Sequence, residues 1–157
     1  MHDFPSSRRR RLLCAGLAAA AAALAGCATP AKPDPNAHLA TFTTRLAGTN
    51  EVPPNASMGT GTVDAVFDRN TLLLRWKMSY GNLGGPPTMA HFHGPAAIGA
   101  NAPPVVTFRV PLTSPYDGRA TLTPAQAAEL LAGRWYVNLH TAQFPGGELR
   151  GQMIERR

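Results

Sequence analysis

At 157 residues, 44% of them hydrophobic and 15% charged, the chain has room for one ordinary domain with a core of its own. Its formal charge of +6 does not imply a nucleic-acid partner: from Cys27 onward eleven Lys and Arg stand against eight Asp and Glu, scattered, with no basic helix or aromatic stacking motif among them. The two cysteines, Cys14 and Cys27, both fall in the amino-terminal stretch, which excludes a disulfide-stapled fold.

That stretch reads as a signal peptide over residues 1–26. Arg8-Arg9-Arg10-Arg11 supply a basic start, and Leu12 to Leu24 is an unbroken run of Leu, Ala, Gly and Cys. The run is too short for a stable bilayer span, which needs about 18 apolar residues. Leu24-Ala25-Gly26-Cys27 resembles the bacterial lipobox, in which the Cys becomes the lipidated first residue of the mature protein. More than one acyl chain gives firm anchoring, so Cys27 is expected to hold a lipoprotein on a membrane. Arg9-Arg10-Arg11-Leu12-Leu13 also resembles a twin-arginine export signal. Ala28 after the Cys resembles a sorting pattern for the outer membrane, which puts the protein in the cell envelope, facing the periplasm or the cell surface. Residues 27–37 hold three prolines and almost nothing to bury, and read as the lipidated Cys and an extended tether.

From His38 on, over residues 38–157, alternation dominates over helical periodicity. Ala40, Phe42, Thr44 and Leu46 share one parity, and a loop follows from Gly48 to Asn55. Gly61 to Phe67 is a second strand with Val63, Ala65 and Phe67 inward; Asp68-Arg69-Asn70 is the turn of a hairpin. In the third, Leu72, Leu74, Trp76, Met78 and Tyr80 alternate with Leu73, Arg75, Lys77 and Ser79, a half-buried strand. After a Gly/Pro-rich break, Met89 to His93 forms a strand closed by Gly94-Pro95, and Val105 to Val110 another with Val106, Phe108 and Val110 inward.

One short helix is marked by a capping Thr123, Pro124 at its first position and Gln126 three residues after the cap. Ala127, Leu130 and Leu131 form its buried stripe and Gly133 its stop. Trp135, Val137 and Leu139 then alternate with Tyr136, Asn138 and His140, and Leu149 and Met153 with Glu148, Arg150 and Gln152. Matching the polar faces of these last two strands puts His140 opposite Glu148, Asn138 opposite Arg150 and Tyr136 opposite Gln152. The sum is an all-β fold, an antiparallel β-sandwich of about seven strands with Greek-key or immunoglobulin-like connections and one short helix.

Residues able to do chemistry gather at Met89-Ala90-His91-Phe92-His93-Gly94. On a strand Met89, His91 and His93 line one face, and two imidazoles about 7 Å apart can converge on an ion if another strand adds a donor. His140, on a polar strand face, is that donor. Neutral imidazole suits Cu(II), Zn(II) or Ni(II), and a thioether from Met89 tilts the choice toward copper. Glu148, Arg150 and Asn138 are candidate second-sphere groups, with Glu148 or Arg150 orienting His140 through its other ring nitrogen.

Three motifs carry a family resemblance. Leu46-Ala47-Gly48-Thr49-Asn50-Glu51-Val52-Pro53-Pro54, Ala90-His91-Phe92-His93-Gly94-Pro95-Ala96, and Tyr136-Val137-Asn138-Leu139-His140-Thr141 with Phe144-Pro145-Gly146-Gly147-Glu148-Leu149-Arg150-Gly151-Gln152 together resemble the CHRD domain, over about His38 to Ile154. The resemblance implies an extracellular binding module, and it includes His91, His93 and His140 but not Met89. A local likeness to copper/zinc superoxide dismutases stops at the three histidines; the further ligands of a zinc site are missing, so dismutase activity is not implied.

The leading functional reading is therefore an envelope-anchored domain that binds copper, or zinc, through a three-histidine site. The alternative is a metal-free module recognising a protein or glycan through the loops Gly48 to Gly59, Gly94 to Pro104 and Thr141 to Gly147. Serine hydrolase chemistry is not indicated, since Ser57, Ser79 and Ser114 have no elbow-like context. Among enzyme mechanisms, only metal-dependent ones retain candidate residues.

Overall fold

In the computed structural model the described residues are Lys32 and 34–156. The expected signal peptide and the expected lipidation site, Cys27, lie outside them. Of the expected tether, residues 35–37 belong to a turn, not to extended chain, with the Ala37 N–H donating to the Asp34 carbonyl at 3.2 Å.

Strands β1 (Leu39–Ala47), β2 (Thr60–Asp68) and β3 (Leu73–Gly81) form an antiparallel meander. Parity predicts their inward faces: Ala40, Phe42 and Leu46, then Val63, Ala65 and Phe67, then Leu74, Trp76 and Met78 are all buried. The β2–β3 hairpin closes with Asp68 opposite Leu73. The Asp68 carboxylate accepts from the Asn70 N–H at 2.8 Å, the local bond that makes aspartate a turn residue.

The chain then crosses to β4 (Pro87–His93) and β5 (Pro104–Thr107), returns to β6 (Tyr116–Thr121), and passes through α1 (Pro124–Leu131) to β7 (Trp135–Thr141), β8 (Leu149–Met153) and the short β9 (Glu155–Arg156). Helix α1 has the expected reciprocal cap. Thr123 Oγ1 accepts from the Gln126 N–H at 3.2 Å and Gln126 Oε1 from the Thr123 N–H at 2.9 Å. Ala127 and Leu130 are buried, and Gly133 follows the helix at φ 69°. Among the described residues no helix is long and apolar enough to cross a membrane.

The expected seven-strand sandwich is corrected to one nine-stranded antiparallel sheet in the order β5-β4-β7-β8-β1-β2-β3-β6, with β9 paired to β1. Its two edges come together: Phe108, just beyond β5, stacks on Tyr116 of β6 with ring centroids 5.3 Å apart, and the Arg109 N–H donates to the Tyr116 hydroxyl at 2.9 Å. A sheet with one apolar face can bury it against a second sheet or by curling on itself. This one curls into a nearly closed barrel whose interior holds Trp76 against Phe92 and Phe108, centroids 5.0 and 4.8 Å away.

Two details of the sequence reading also change. The β5 strand ends at Thr107, so Phe108 is buried but Val110, expected inward, is 75% exposed. Strand β6 carries no apolar alternation because its inward positions are small where β3 is large: Gly118 lies opposite Trp76 and Ala120 opposite Leu74. The indole of Trp76 occupies the space a Cβ at Gly118 would need.

Candidate metal centre

Strand β4 buries Ala90 and Phe92 in the barrel, which turns Met89, His91 and His93 outward; β7 buries Trp135, Val137 and Leu139, which turns Tyr136, Asn138 and His140 outward. The two strands pair antiparallel with Met89 opposite His140, His91 opposite Asn138 and His93 opposite Tyr136. Residues directly across a ladder share a face, so the six form one patch. The β7–β8 register is the one expected, with Asn138 opposite Arg150 and Tyr136 opposite Gln152.

The patch is not a solvated face. His93 is 8% and His140 6% exposed, and every residue of β7 is buried. Alternation tells which residues share a face but not whether loops return over it, and here they do. The Asn55 amide donates to the carbonyls of Gly147 and Glu148 at 3.0 and 3.1 Å. Arg150 donates to Asn101 Oδ1 at 2.8 Å and to the Ala100 carbonyl at 2.6 Å. The loops after β1, β4 and β7 are thereby drawn together over the polar face.

Within this cover one ring nitrogen from each of His91, His93 and His140 lies within 4.8 Å of the other two. The His91 Nδ1 to His140 Nε2 separation is 3.3 Å. Two nitrogens each about 2.05 Å from one ion at the tetrahedral angle lie about 3.3 Å apart, so this pair already has a metal bite. The tautomers suit it. His93 Nδ1 faces the Ala102 carbonyl at 2.9 Å and His140 Nδ1 the Pro145 carbonyl at 3.0 Å. A carbonyl only accepts, so in each neutral ring Nδ1–H donates to it and Nε2 keeps its lone pair for the patch.

Burial, reinforced by repulsion from the protonated forms of His140 and His93, pushes His91 down to about 4, and burial likewise lowers His140. Both are neutral imidazoles at pH 7, the form that coordination requires.

The other expected site residues fall out differently. Met89 shares the face and stands across from His140, with 45% of its surface exposed. Asn138 is closer than a second-sphere role requires: its Oδ1 lies 2.9 Å from His93 Nε2 and 3.0 Å from His140 Nε2. Glu148 does not orient His140. Fully buried, it accepts from Thr141 Oγ1 at 2.6 Å, Ser57 Oγ at 2.7 Å and the Gly84 N–H at 2.8 Å. Nor does Arg150, whose guanidinium lies 3.5 Å over the Tyr136 ring, which stacks on His93 at 4.7 Å. The groups that orient the rings are the Ala102 and Pro145 carbonyls, and no side-chain pattern could have pointed to a backbone oxygen. Also missed was Glu51, buried at 6% exposure with Oε1 lacking a direct partner.

A surface groove of about 670 Å³ between residues such as Thr43, Asp64, Arg75 and Arg119 includes none of the three histidines. The model of the CHRD domain matches residues 42–153 of the chain. No curated protein and no solved structure matches it.

Proposed function

The chain belongs to the CHRD domain family, and we propose that it works as a transition-metal-binding domain of the cell envelope, holding one copper or zinc ion through His91, His93 and His140. The observation that carries this reading is the convergence of three ring nitrogens within 4.8 Å, one pair at a 3.3 Å bite. Imidazole sets of this kind suit Cu(II), Zn(II) and Ni(II), and Met89 on the same face adds a soft donor that would favour copper. Lipidation at Cys27 would anchor the domain to the membrane, with the outer membrane as the expected address.

Elemental analysis of the protein purified without a metal-binding tag tests the reading directly. About one equivalent of copper or zinc is expected in the wild type and a tenth or less in His91→Ala, His93→Ala and His140→Ala variants. Added metal at about 100 times its Kd should stabilise the wild type by about 2.7 kcal/mol and the variants not at all. A metal-free wild type whose melting temperature ignores micromolar copper and zinc would sink the proposal. That outcome would favour the second reading, a loop-borne recognition surface, for which Met58 and Ile98, 85% and 77% exposed in two of the covering loops, are the natural contacts.

A further inference from the structure

We infer that this centre hands its ion on: the margin formed by Met89, His91 and Thr107 is the port through which an entering nitrogen or sulfur donor reaches the bound metal and displaces His91. The inference rests on the three-histidine reading and deepens it, naming the route and the class of partner.

The three imidazoles are not held alike. His93 and His140 are buried, and each ring is pinned through Nδ1 to a loop carbonyl, that of Ala102 or Pro145. His91 is only half-buried, and its one hydrogen-bond contact among the described residues is Nδ1 to His140 Nε2, the pair that an ion would separate. With that contact given over to metal, His91 is fixed by its own side-chain torsions alone and leaves the ion by a rotamer change. The other two rings would have to break a hydrogen bond to the cover as well.

The cover is as uneven as the anchoring. The contacts that draw the loops together run through Asn55 to Gly147 and Glu148 and through Arg150 of β8 to Ala100 and Asn101. On the other flank of β4, His91 stands across the ladder from Thr107 of β5, which is exposed, and two residues back on the same strand face is the exposed Met89. Residues directly across a ladder have Cβ atoms about 5 Å apart, and those at i and i+2 on one strand lie about 7 Å apart. The three therefore make one uncovered margin with His91 at its centre.

His91 Nδ1 has the metal bite with His140 Nε2, so Nδ1 is the ligating atom and Nε2 carries the proton of the neutral ring. The exchange then balances without redox change. The bond from the ion to His91 Nδ1 breaks as the bond to the entering donor forms, and the ring leaves neutral. Zinc allows the overlap of the two bonds by passing through five-coordination. The Met89 thioether, at the margin, is a soft donor placed to hold copper during the same step. The partner this suits presents an imidazole or sulfur donor on a protruding side chain or chelate arm.

Stopped-flow transfer of zinc from the loaded full-length protein to 4-(2-pyridylazo)resorcinol, followed by the colour of the zinc complex, tests this. The entering donor attacks before the ion leaves, so the wild-type rate is expected to rise about ten-fold as the chelator is raised about ten-fold. Thr107→Trp, which crowds the margin without removing a ligand, should slow transfer about ten-fold and leave Kd within about 3-fold, because entry and exit are hindered alike. Asn55→Ala, which unpins the cover, should leave the rate within about 3-fold of wild type. A rate independent of chelator concentration, an unchanged rate in Thr107→Trp, or an acceleration of about ten-fold in Asn55→Ala would mean that the ion leaves unassisted or through the cover, and would overturn the inference while leaving the three-histidine centre standing. Melting in chelator identifies a variant that has lost its fold, and the concentration dependence in the wild type carries the test without either variant. No zinc uptake by the wild type would overturn both readings.

Discussion

Removing the Glu148 carboxylate should be among the most damaging single changes in the protein, and for structural reasons alone. The side chain has no exposed surface and accepts three hydrogen bonds, from Ser57 in the β1–β2 loop, Gly84 in the β3–β4 loop and Thr141 at the end of β7. Hydrogen bonds to a charged group are worth about 1.5–3 kcal/mol each. Simple addition overstates the loss, since two of the three donors are hydroxyls that can turn to other acceptors. The Gly84 N–H cannot turn. Glu148→Ala is therefore expected to cost about 3–5 kcal/mol, the range for breaking a buried polar network. Glu148→Gln keeps the volume and one acceptor oxygen, and the Thr141 hydroxyl can reverse to accept from the new NH2, so its cost should be about 1 kcal/mol. Urea unfolding in the presence of chelator measures both without a contribution from bound metal. A loss below 1 kcal/mol for Glu148→Ala, or equal losses for the two variants, would refute the reasoning. Because Glu148 makes no hydrogen bond to the His140 ring, Glu148→Gln should leave the metal Kd within about 3-fold of wild type.

The perturbed groups at the centre should oppose one another in the pH profile of the metal-free protein, Glu51 against His91 and His140. Burial raises Glu51 from 4.5 to about 7, so the stability it contributes is complete below pH 4.5 and is lost as the pH rises through about 7, on the order of 2 kcal/mol after allowance for solvent screening. His91 is lowered from 6.5 to about 4, so its contribution is present above 6.5 and is lost as the pH falls through about 4. Between about pH 4.5 and 6.5 the urea midpoint should rise more steeply with pH in Glu51→Gln than in the wild type, and less steeply in His91→Ala; parallel profiles would contradict both assignments. In the core, Gly118→Ala should cost about 1–3 kcal/mol by overpacking, because the new Cβ would overlap the buried indole of Trp76; a neutral effect in thermal unfolding would mean that the indole can move aside.

Much of this architecture was legible because its main signals are local. Parity assigned the inward faces of β1 to β3, and matching the polar faces of the last hairpin gave the pairing of Asn138 with Arg150. The helix cap was written in Thr123, Pro124 and Gln126. The same parity put His91 and His93 on one face and His140 on a polar strand, which sufficed to bring the trio together. What parity cannot carry is the relation between distant elements. Alternation is the same in a sandwich and in a curled sheet, so closure through Phe108 and Tyr116 was invisible. Strand β6 was missed because its apolar volume is supplied by its neighbour, Trp76 filling the room above Gly118. Glu51 was missed because its loop, rich in Gly, Pro and Asn, holds nothing that demands burial; it is buried by where the loop lands.

That division of labour explains how a polar strand face came to gather three converging histidines. The strands fix the spacing of the three imidazoles through the β4–β7 register; a one-residue slip of either strand would send that strand's histidines inward. The loops fix the chemistry. They cover His93 and His140 and supply the Ala102 and Pro145 carbonyls that hold the Nδ1 protons away from the patch. Neither layer alone makes a ligand set: bare strands would leave solvated histidines free to take either tautomer, and loops without the β4–β7 register would have nothing to orient. The cost of removing a metal-site side chain should therefore depend on which layer it belongs to. Loss of a strand histidine removes a ligand, whereas loss of a loop contact leaves all ligands present and changes the polarity they offer to an ion.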